Sequence, residues 1–320
     1  MTVLYTKAGV PQPKMLNLVC DRISMTLDIP ISQQKVLMSE IEDIPHYAGK
    51  GNYNCSRAIP LNKKYLPFGA DKTGQSNLLL QCSPNNKYKE NNMRFFRAEW
   101  NPSQVDGAEV EATINNLIPN LFGTLLIEGM VTRIDLAVDV AQVECDDLLF
   151  HYPKSTITDV RSKTGRTEYI GGSKSPTSWC IYDKIAEIEA KNKKKAMALK
   201  KDIPKFQLTR FELRLKPVQR HILDLVNLNN PFAKLIVSAY TNFSSNKDVE
   251  WNLFLDSCRL RGAQAALFKI KGSSYFEEFK SRLDAGLVDW WKPGVIWSQL
   301  PEVIENIVSP DFNISSLSAA

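Results

Sequence analysis

The 320-residue sequence lacks several features that would assign it to a specialised class of protein. It has no run of about 18 apolar residues, so we expect no transmembrane helix. Its N-terminus lacks the charged-then-apolar order of a signal peptide, and we expect a cytoplasmic location. The three histidines form no His-x-His pair and the six cysteines form no CxxC, so neither a zinc site nor a disulfide framework is expected.

The charge of the chain is unevenly distributed. The net charge is +5, but residues 154–216 hold 16 Lys and Arg against 7 Asp and Glu, a local charge of +9. Such an excess is typical of a surface that binds phosphates. Most charge runs, however, are only solvated faces. Charge alone therefore leaves both interpretations open.

One segment shows the alternation of a half-buried β-strand most clearly. In Arg133–Val140, the side chains of Arg133, Asp135 and Asp139 share one face because side chains on a strand alternate with period two. The apolar residues of the segment form the other face, which we expect to lie in the core. The pattern predicts a strand that carries carboxylates and an arginine on its polar side.

Two further segments repeat this pattern, and a tyrosine-bearing strand belongs with them. Residues 93–100 place Glu99 among arginines, and residues 210–216 do the same for Glu212. Residues 179–184 read Trp-Cys-Ile-Tyr-Asp-Lys and contain Tyr182. If all these strands pair in one sheet, the acids and the tyrosine share a surface suited to metal-assisted phosphoryl chemistry on a nucleic acid.

The order of these elements predicts an α+β fold with an antiparallel-type central sheet, helices packed on one face and a smaller helical region after the sheet. Parallel central strands would be apolar on both faces, and these are not. We expect residues 1–19 to be an irregular leader, 20–217 the sheet domain, 218–308 a helical C-terminal region and 309–320 a loose tail. Helices are expected at 105–121 and, in the C-terminal region, at 233–240, among others.

Four blocks in a fixed order give the sequence a family resemblance. They read NMRFFRAEWNP at 92–102, TRIDLAVD at 132–139, EYIGG to CIYDK at 168–184, and TRFELRL at 209–215. In this order they resemble the Rep_trans family, the rolling-circle replication initiators of small plasmids and some filamentous phages. The resemblance covers about residues 20–217, which it makes a nicking-joining replication initiator domain.

The resemblance implies a catalytic apparatus. Tyr182 is similar in position to the family's nucleophile, with Lys184 beside it. Glu99, Asp135 and Glu212 correspond to the family's ligands for Mg²⁺ or Mn²⁺. Tyr169 is a second candidate for the nucleophile.

The sequence departs from the family pattern at one position near the nucleophile. Cys180 stands where the family usually has an arginine. A phosphate contact is then missing, or another basic residue such as Lys184 supplies it.

The resemblance also implies the partners of the protein, which are double- and single-stranded origin DNA, a host helicase, a polymerase and a second copy in a homodimer, with no membrane. The residues expected to contact DNA are Arg133, Arg210, Arg214, Lys174, Lys193, Lys194 and Lys195. The leading hypothesis is an origin-specific enzyme that nicks and rejoins DNA through a phosphotyrosine. The alternatives are a catalytically inactive DNA-binding regulator of the same fold and a conjugative relaxase.

Overall fold

The computed structural model describes residues 13–49, 51–62, 75–85, 93–153, 155, 158–161, 165–172, 174–191, 207–243 and 248–308. The predicted DNA contacts Lys193, Lys194 and Lys195 and the predicted tail 309–320 lie outside these residues. The chain divides into two compact units. The first unit comprises residues 1–18, 137–214 and 229–299, and the second unit comprises 19–136, 215–228 and 300–320.

The described part of the chain contains strands and helices in mixed order. The strands are β1 (Lys14–Met15), β2 (Val19–Leu27), β3 (Tyr53–Asn62), β4 (Gln75–Pro84), β5 (Phe96–Trp100), β6 (Met130–Ala141), β7 (Leu148–His151), β8 (Thr158–Arg161), β9 (Thr167–Ile170), β10 (Thr177–Asp183), β11 (Leu208–Leu215) and β12 (Ile236–Ala239). The α-helices are α1 (Ile31–Glu42), α2 (Gly107–Asn115), α3 (Leu121–Glu128), α4 (Lys184–Lys191), α5 (Val249–Arg261), α6 (Ala263–Lys269), α7 (Phe276–Ala285), α8 (Pro293–Trp297) and α9 (Leu300–Glu305). No helix in these described ranges is long and apolar enough to cross a membrane.

The second unit is built on an antiparallel sheet with the strand order β3-β4-β5-β2-β6. Alternation along β2 buries Ile23, Met25 and Leu27 on one face. Helix α1 packs against β3 and β4, and α3 packs against β2. The rings of Trp100 and Phe122 lie 6.3 Å apart between β5 and α3. The polar side chains of these strands therefore lie on the face opposite the core.

The first unit combines a sheet with a helical cluster. Its strand order is β6-β11-β10-β9-β8, in which residues 137–141 of β6 take part, and β1 pairs with the same end of β6. Helix α5 begins at Asp248, whose carboxylate accepts a hydrogen bond from the Trp251 N–H at 3.0 Å. Trp251, Phe254 and Phe279 then form the centre of an apolar cluster among α5, α6 and α7. These elements together confirm the predicted α+β class.

Two helix predictions were wrong in detail. The segment 233–240 is not a helix but a 3₁₀ turn at Phe232–Lys234 followed by β12, which pairs with β7 so that Val237 faces Phe150. Pairing with a neighbouring strand decides the structure of such a short apolar run, and sequence periodicity does not show it. The helix predicted at 105–121 is shorter than expected: α2 ends at Asn115, and α3 begins only at Leu121. Asp106 caps α2 by accepting a hydrogen bond from the Ala108 N–H.

A glycine joins the helical cluster to the hairpin that carries the predicted nucleophile. Gly262 ends α5 with a φ of +83°, a conformation that L side chains rarely adopt. A Cβ at this position would lie 2.4 Å from Thr158 Cγ2 and 2.8 Å from Glu168 Oε1. The position therefore requires glycine both for its backbone conformation and for its close contact with β8 and β9.

We expect the change Gly262→Ala to destabilise the protein more than Gly272→Ala. Gly272 has a similar φ of +88°, but a Cβ there would meet nothing within 4 Å. The control change should cost about 1 kcal/mol from backbone strain, and Gly262→Ala about 2 kcal/mol more from overpacking. Urea unfolding measures the difference. Equal losses in the two variants would contradict the close contact.

Candidate active site

Arginines and carboxylates that lie two residues apart in the chain form pairs in both units. Residues two apart on a strand point to the same side, so opposite charges at that spacing can meet. The pairs of this kind among the described residues are Arg97–Glu99, Arg133–Asp135, Arg161–Asp159, Arg166–Glu168 and Arg214–Glu212. All three predicted metal ligands therefore already have an arginine as partner.

In the second unit, Arg97 is the centre of a hydrogen-bond network across several strands. Its Nε–H donates to Ser24 Oγ on β2 at 2.8 Å, and its terminal nitrogens donate to Gln81 and Glu99. Gln81 in turn donates to Ser56 Oγ on β3 at 3.0 Å. The network fixes the orientation of the Glu99 carboxylate.

Arg22 joins the two predicted acids of the second unit. Its NH1 lies 3.5 Å from Glu99 Oε1 and its Nε lies 3.8 Å from Asp135 Oδ2. Asp135 is only 2% exposed, and Arg133 donates to both of its oxygens at 2.7 and 2.8 Å. Two carboxylates thus converge on one guanidinium whose own side chain is 45% exposed.

This convergence is the observation that bears on a metal ion. Carboxylate oxygens are the ligands that Mg²⁺ and Mn²⁺ prefer, and one or two carboxylates often suffice. Glu99 and Asp135 already have a positive group, Arg22, between them. Within the described ranges, no three acidic, His or Cys side chains gather into a group that could hold a metal. The assignment of Glu99, Asp135 and Glu212 as three ligands of one metal ion therefore stays a prediction.

In the first unit, both candidate tyrosines lie on one face of the β9–β10 hairpin. Tyr182 is opposite Thr167 and Cys180 is opposite Tyr169, which places these four residues on the same side. Trp179 and Ile181 point to the other side and are fully buried. Tyr182 is half-buried, so its ring is not part of the apolar core.

Tyr182 stands where β10 leads directly into α4. Asp183 Oδ1 accepts from the backbone N–H groups of Ile185 and Ala186 at 2.8 and 2.9 Å, and so caps the helix. Lys184 Nζ lies 5.6 Å from the centre of the Tyr182 ring and pairs with Glu187. A cation and the positive end of a short helix dipole therefore lie close to this phenol.

Tyr169 has a different environment. Arg161 lies 4.9 Å from the centre of its ring. Burial and the neighbouring Cys180 raise the pKa of the Tyr169 hydroxyl, and Arg161 and Arg214 only partly oppose this. Formation of a phenolate is therefore disfavoured at Tyr169.

The Cys180 thiol is buried between charged groups of β11. Burial and the nearby Glu212 raise its pKa to about 12, and Arg214 acts in the opposite direction. The thiol is therefore neutral at physiological pH. The charge of Arg214 on the neighbouring strand acts at the position where the sequence lacks the expected arginine.

The remaining predicted DNA contacts differ in their surroundings. Arg210 donates to both oxygens of Asp139, at 2.6 and 2.7 Å. Lys174 is exposed. Sequence reasoning placed Glu99 among arginines but missed Arg22, which is distant in sequence from both acids that it contacts.

Comparison with known proteins found similarity both to a sequence family and to solved structures. Residues 129–259 match the profile of the Rep_trans family, described as replication initiation factor. A rolling circle replication initiator protein from Geobacillus stearothermophilus is 14% identical over 78% of this chain and 98% of its own, with a TM-score of 0.32. No curated protein sequence matches the chain. The matched span contains Asp135, Tyr182, Lys184 and Glu212, whereas Glu99 precedes it.

We expect Arg133→Ala to lower the free energy of unfolding by about 3 kcal/mol, because it leaves the buried Asp135 carboxylate without its two-hydrogen-bond partner. Arg161→Ala is the matched control, since Arg161 has the same spacing to Asp159 but both side chains are more than half exposed. The control should leave the unfolding midpoint nearly unchanged. Denaturant unfolding followed by circular dichroism compares the two, and an equal midpoint for both variants would show that burial of the pair is not what matters.

Proposed function

We propose that this chain, whose residues 129–259 match the Rep_trans family of replication initiation factors, nicks and rejoins DNA at an origin of rolling-circle replication. The family match supports a role in replication initiation. The observation that carries the finer proposal is the half-buried Tyr182 with Lys184 beside its ring, within the matched span. Together they offer a nucleophile and a cation in one short segment.

In this reaction a phosphodiester of the DNA is transferred from its 3′ oxygen to the tyrosine. The Tyr182 oxygen attacks the scissile phosphorus, the bond from phosphorus to the 3′ oxygen breaks, and that oxygen takes a proton. The 5′ end stays attached to the protein as phosphotyrosine, and the free 3′-hydroxyl can prime a polymerase. A tyrosine hydroxyl with an ordinary pKa near 10 needs activation to act as a nucleophile, and Lys184 is the cation beside the Tyr182 ring. Attack by a 3′-hydroxyl on the phosphotyrosine reverses the steps and rejoins a strand.

The acids have a separate task. Glu99 and Asp135, with Glu212 as the third predicted ligand, would hold Mg²⁺ or Mn²⁺. When bound, this ion supplies neutralisation of the phosphate charge. Arg22, which contacts both carboxylates and is partly exposed, would then be available to a phosphate oxygen.

The arginines and lysines would hold the DNA backbone. Arg133, Arg210 and Arg214 carry planar guanidinium groups that suit phosphate oxygens, and Lys174 is exposed to solvent. The lysines at 193–195 are proposed contacts from sequence alone. The same proposal includes a host helicase, a polymerase, a homodimer and a cytoplasmic location.

We expect Tyr182→Phe to abolish the covalent protein–DNA adduct on an origin strand, a loss of at least a thousandfold, because the attacking oxygen is removed. Tyr169→Phe, on the same hairpin face, should retain adduct formation within a few fold. Denaturing gel electrophoresis with a labelled strand and Mn²⁺ measures both. An adduct with Tyr182→Phe that disappears with Tyr169→Phe would reverse the assignment. Tight origin binding with no adduct under any divalent ion would favour the inactive regulator.

We expect Glu99→Gln and Asp135→Asn each to reduce adduct formation at least a hundredfold, because each removes a charged ligand while keeping the side-chain shape. Chelation with EDTA should have the same effect on the unchanged protein, and Mn²⁺ should restore it. Glu278→Gln is the control, since Glu278 pairs with Arg282 on α7. Circular dichroism checks that the variants are folded. Full activity of both acid variants would contradict the predicted role of these carboxylates.

A further inference from the structure

A cavity of about 440 Å³ opens in the second unit beside the Arg97 network. Its volume is within the range of small-molecule sites. Arg94 and Arg97 both line it, and among the described residues of its wall none is acidic. The Glu99 and Asp135 carboxylates are held by the neighbouring network and are not part of this wall. Arg97 is paired with Glu99, so the excess positive charge of the wall belongs to Arg94, and it favours an anion of limited size.

The positions of both arginines are fixed. Arg97 is oriented by Ser24, Gln81 and Glu99, as described above. Arg94 NH1 donates to the backbone carbonyl of Glu128 at 3.2 Å, and its Nε lies 3.8 Å from Asp28. Asp28 is largely exposed, so this contact weakly neutralises Arg94. Two oriented guanidinium groups suit the oxygens of a phosphate.

The rest of the wall suits a nucleobase. Asn52 and Gln219 carry amides, which both donate and accept hydrogen bonds as base edges do. Tyr53 is 2% exposed, and its hydroxyl donates to the Arg94 carbonyl at 3.3 Å, so it supports this part of the wall and presents no open ring face. Phosphate-binding and base-binding groups thus line the same cavity.

The chain holds Gln219 at the cavity edge in an unusual conformation. Its φ is +55°, which is rare for a residue with a side chain. Its N–H donates to the Val131 carbonyl at 2.9 Å, and the Val218 N–H donates to the Thr132 carbonyl at 3.1 Å. These bonds to β6 keep the Gln219 amide at the rim, where Thr132 also lines the wall.

From this lining we propose that the cavity holds one unpaired nucleotide of the DNA strand, with its phosphate on Arg94 and Arg97 and its base edge on Asn52 and Gln219. The inference rests on the proposed function for its choice of ligand, and it gives that function a site for reading one base of a single strand. A free nucleotide has the same phosphate and base, and the experiment below distinguishes its binding from that of a strand.

The test measures binding of fluorescent single-stranded oligonucleotides to the full chain carrying Tyr182→Phe, in EDTA, so that cleavage does not interfere. A series of oligonucleotides carries one abasic site at each successive position. We expect one position at which the abasic site weakens binding about tenfold, the usual scale of one base contact. In a Gln219→Ala background, that position should become insensitive. Gln33→Ala, an exposed glutamine of α1, is the control and should keep the sensitivity.

Three outcomes would overturn the inference. They are equal binding of all abasic strands, an unchanged abasic profile in Gln219→Ala, and binding of free deoxynucleoside monophosphates as tight as that of the strand. Adduct formation by the unchanged protein tests the proposed function separately. A protein that forms the adduct but fails the abasic test has the function without this nucleotide site. A protein that passes the abasic test without forming an adduct keeps the site and loses the nicking proposal.

Discussion

The polar faces of this protein depend on one local interaction, the pairing of an arginine with a carboxylate two residues away on the same strand. The partners lie close together as soon as the strand is extended, so the pair needs no distant element. It also allows acids to be buried. Asp135 is 2% exposed and Glu168 is fully buried, which an unpaired carboxylate could not be without a large cost. The arginines are therefore structural residues before they are contacts for any ligand.

Sequence alone predicted the α+β class and the polar faces of the strands, because alternation with period two is visible in the residues themselves. It did not predict that Arg210 contacts Asp139, because that pairing depends on the alignment of separate strands. Arg22 is more than 70 residues from the acids it joins, so no local pattern marks it. The strand at Ile236–Ala239 was missed for the same reason, since its partner β7 is distant in sequence.

The position of Cys180, where the sequence departs from the family pattern, lies near charged side chains of the neighbouring strand. Sequence reasoning named Lys184 as a possible substitute for the missing arginine. In the structure, Lys184 lies beside the Tyr182 ring and pairs with Glu187, whereas Arg214 lies near Cys180 and Tyr169. Arg214 is itself paired with Glu212, so both basic groups near this hairpin have a carboxylate partner.

The same pairing of arginines with their own acids bears on how the protein behaves among the abundant polyanions of a cell. A guanidinium that is already neutralised displaces few small counterions when RNA or bulk DNA approaches, so such polymers gain little affinity from it. A nucleic acid that arrives with divalent ions gains more affinity, because the ions can bind the carboxylates and release the arginines. The protein would then discriminate against non-specific RNA and DNA because its arginines are already paired with acids, without any contact to a base.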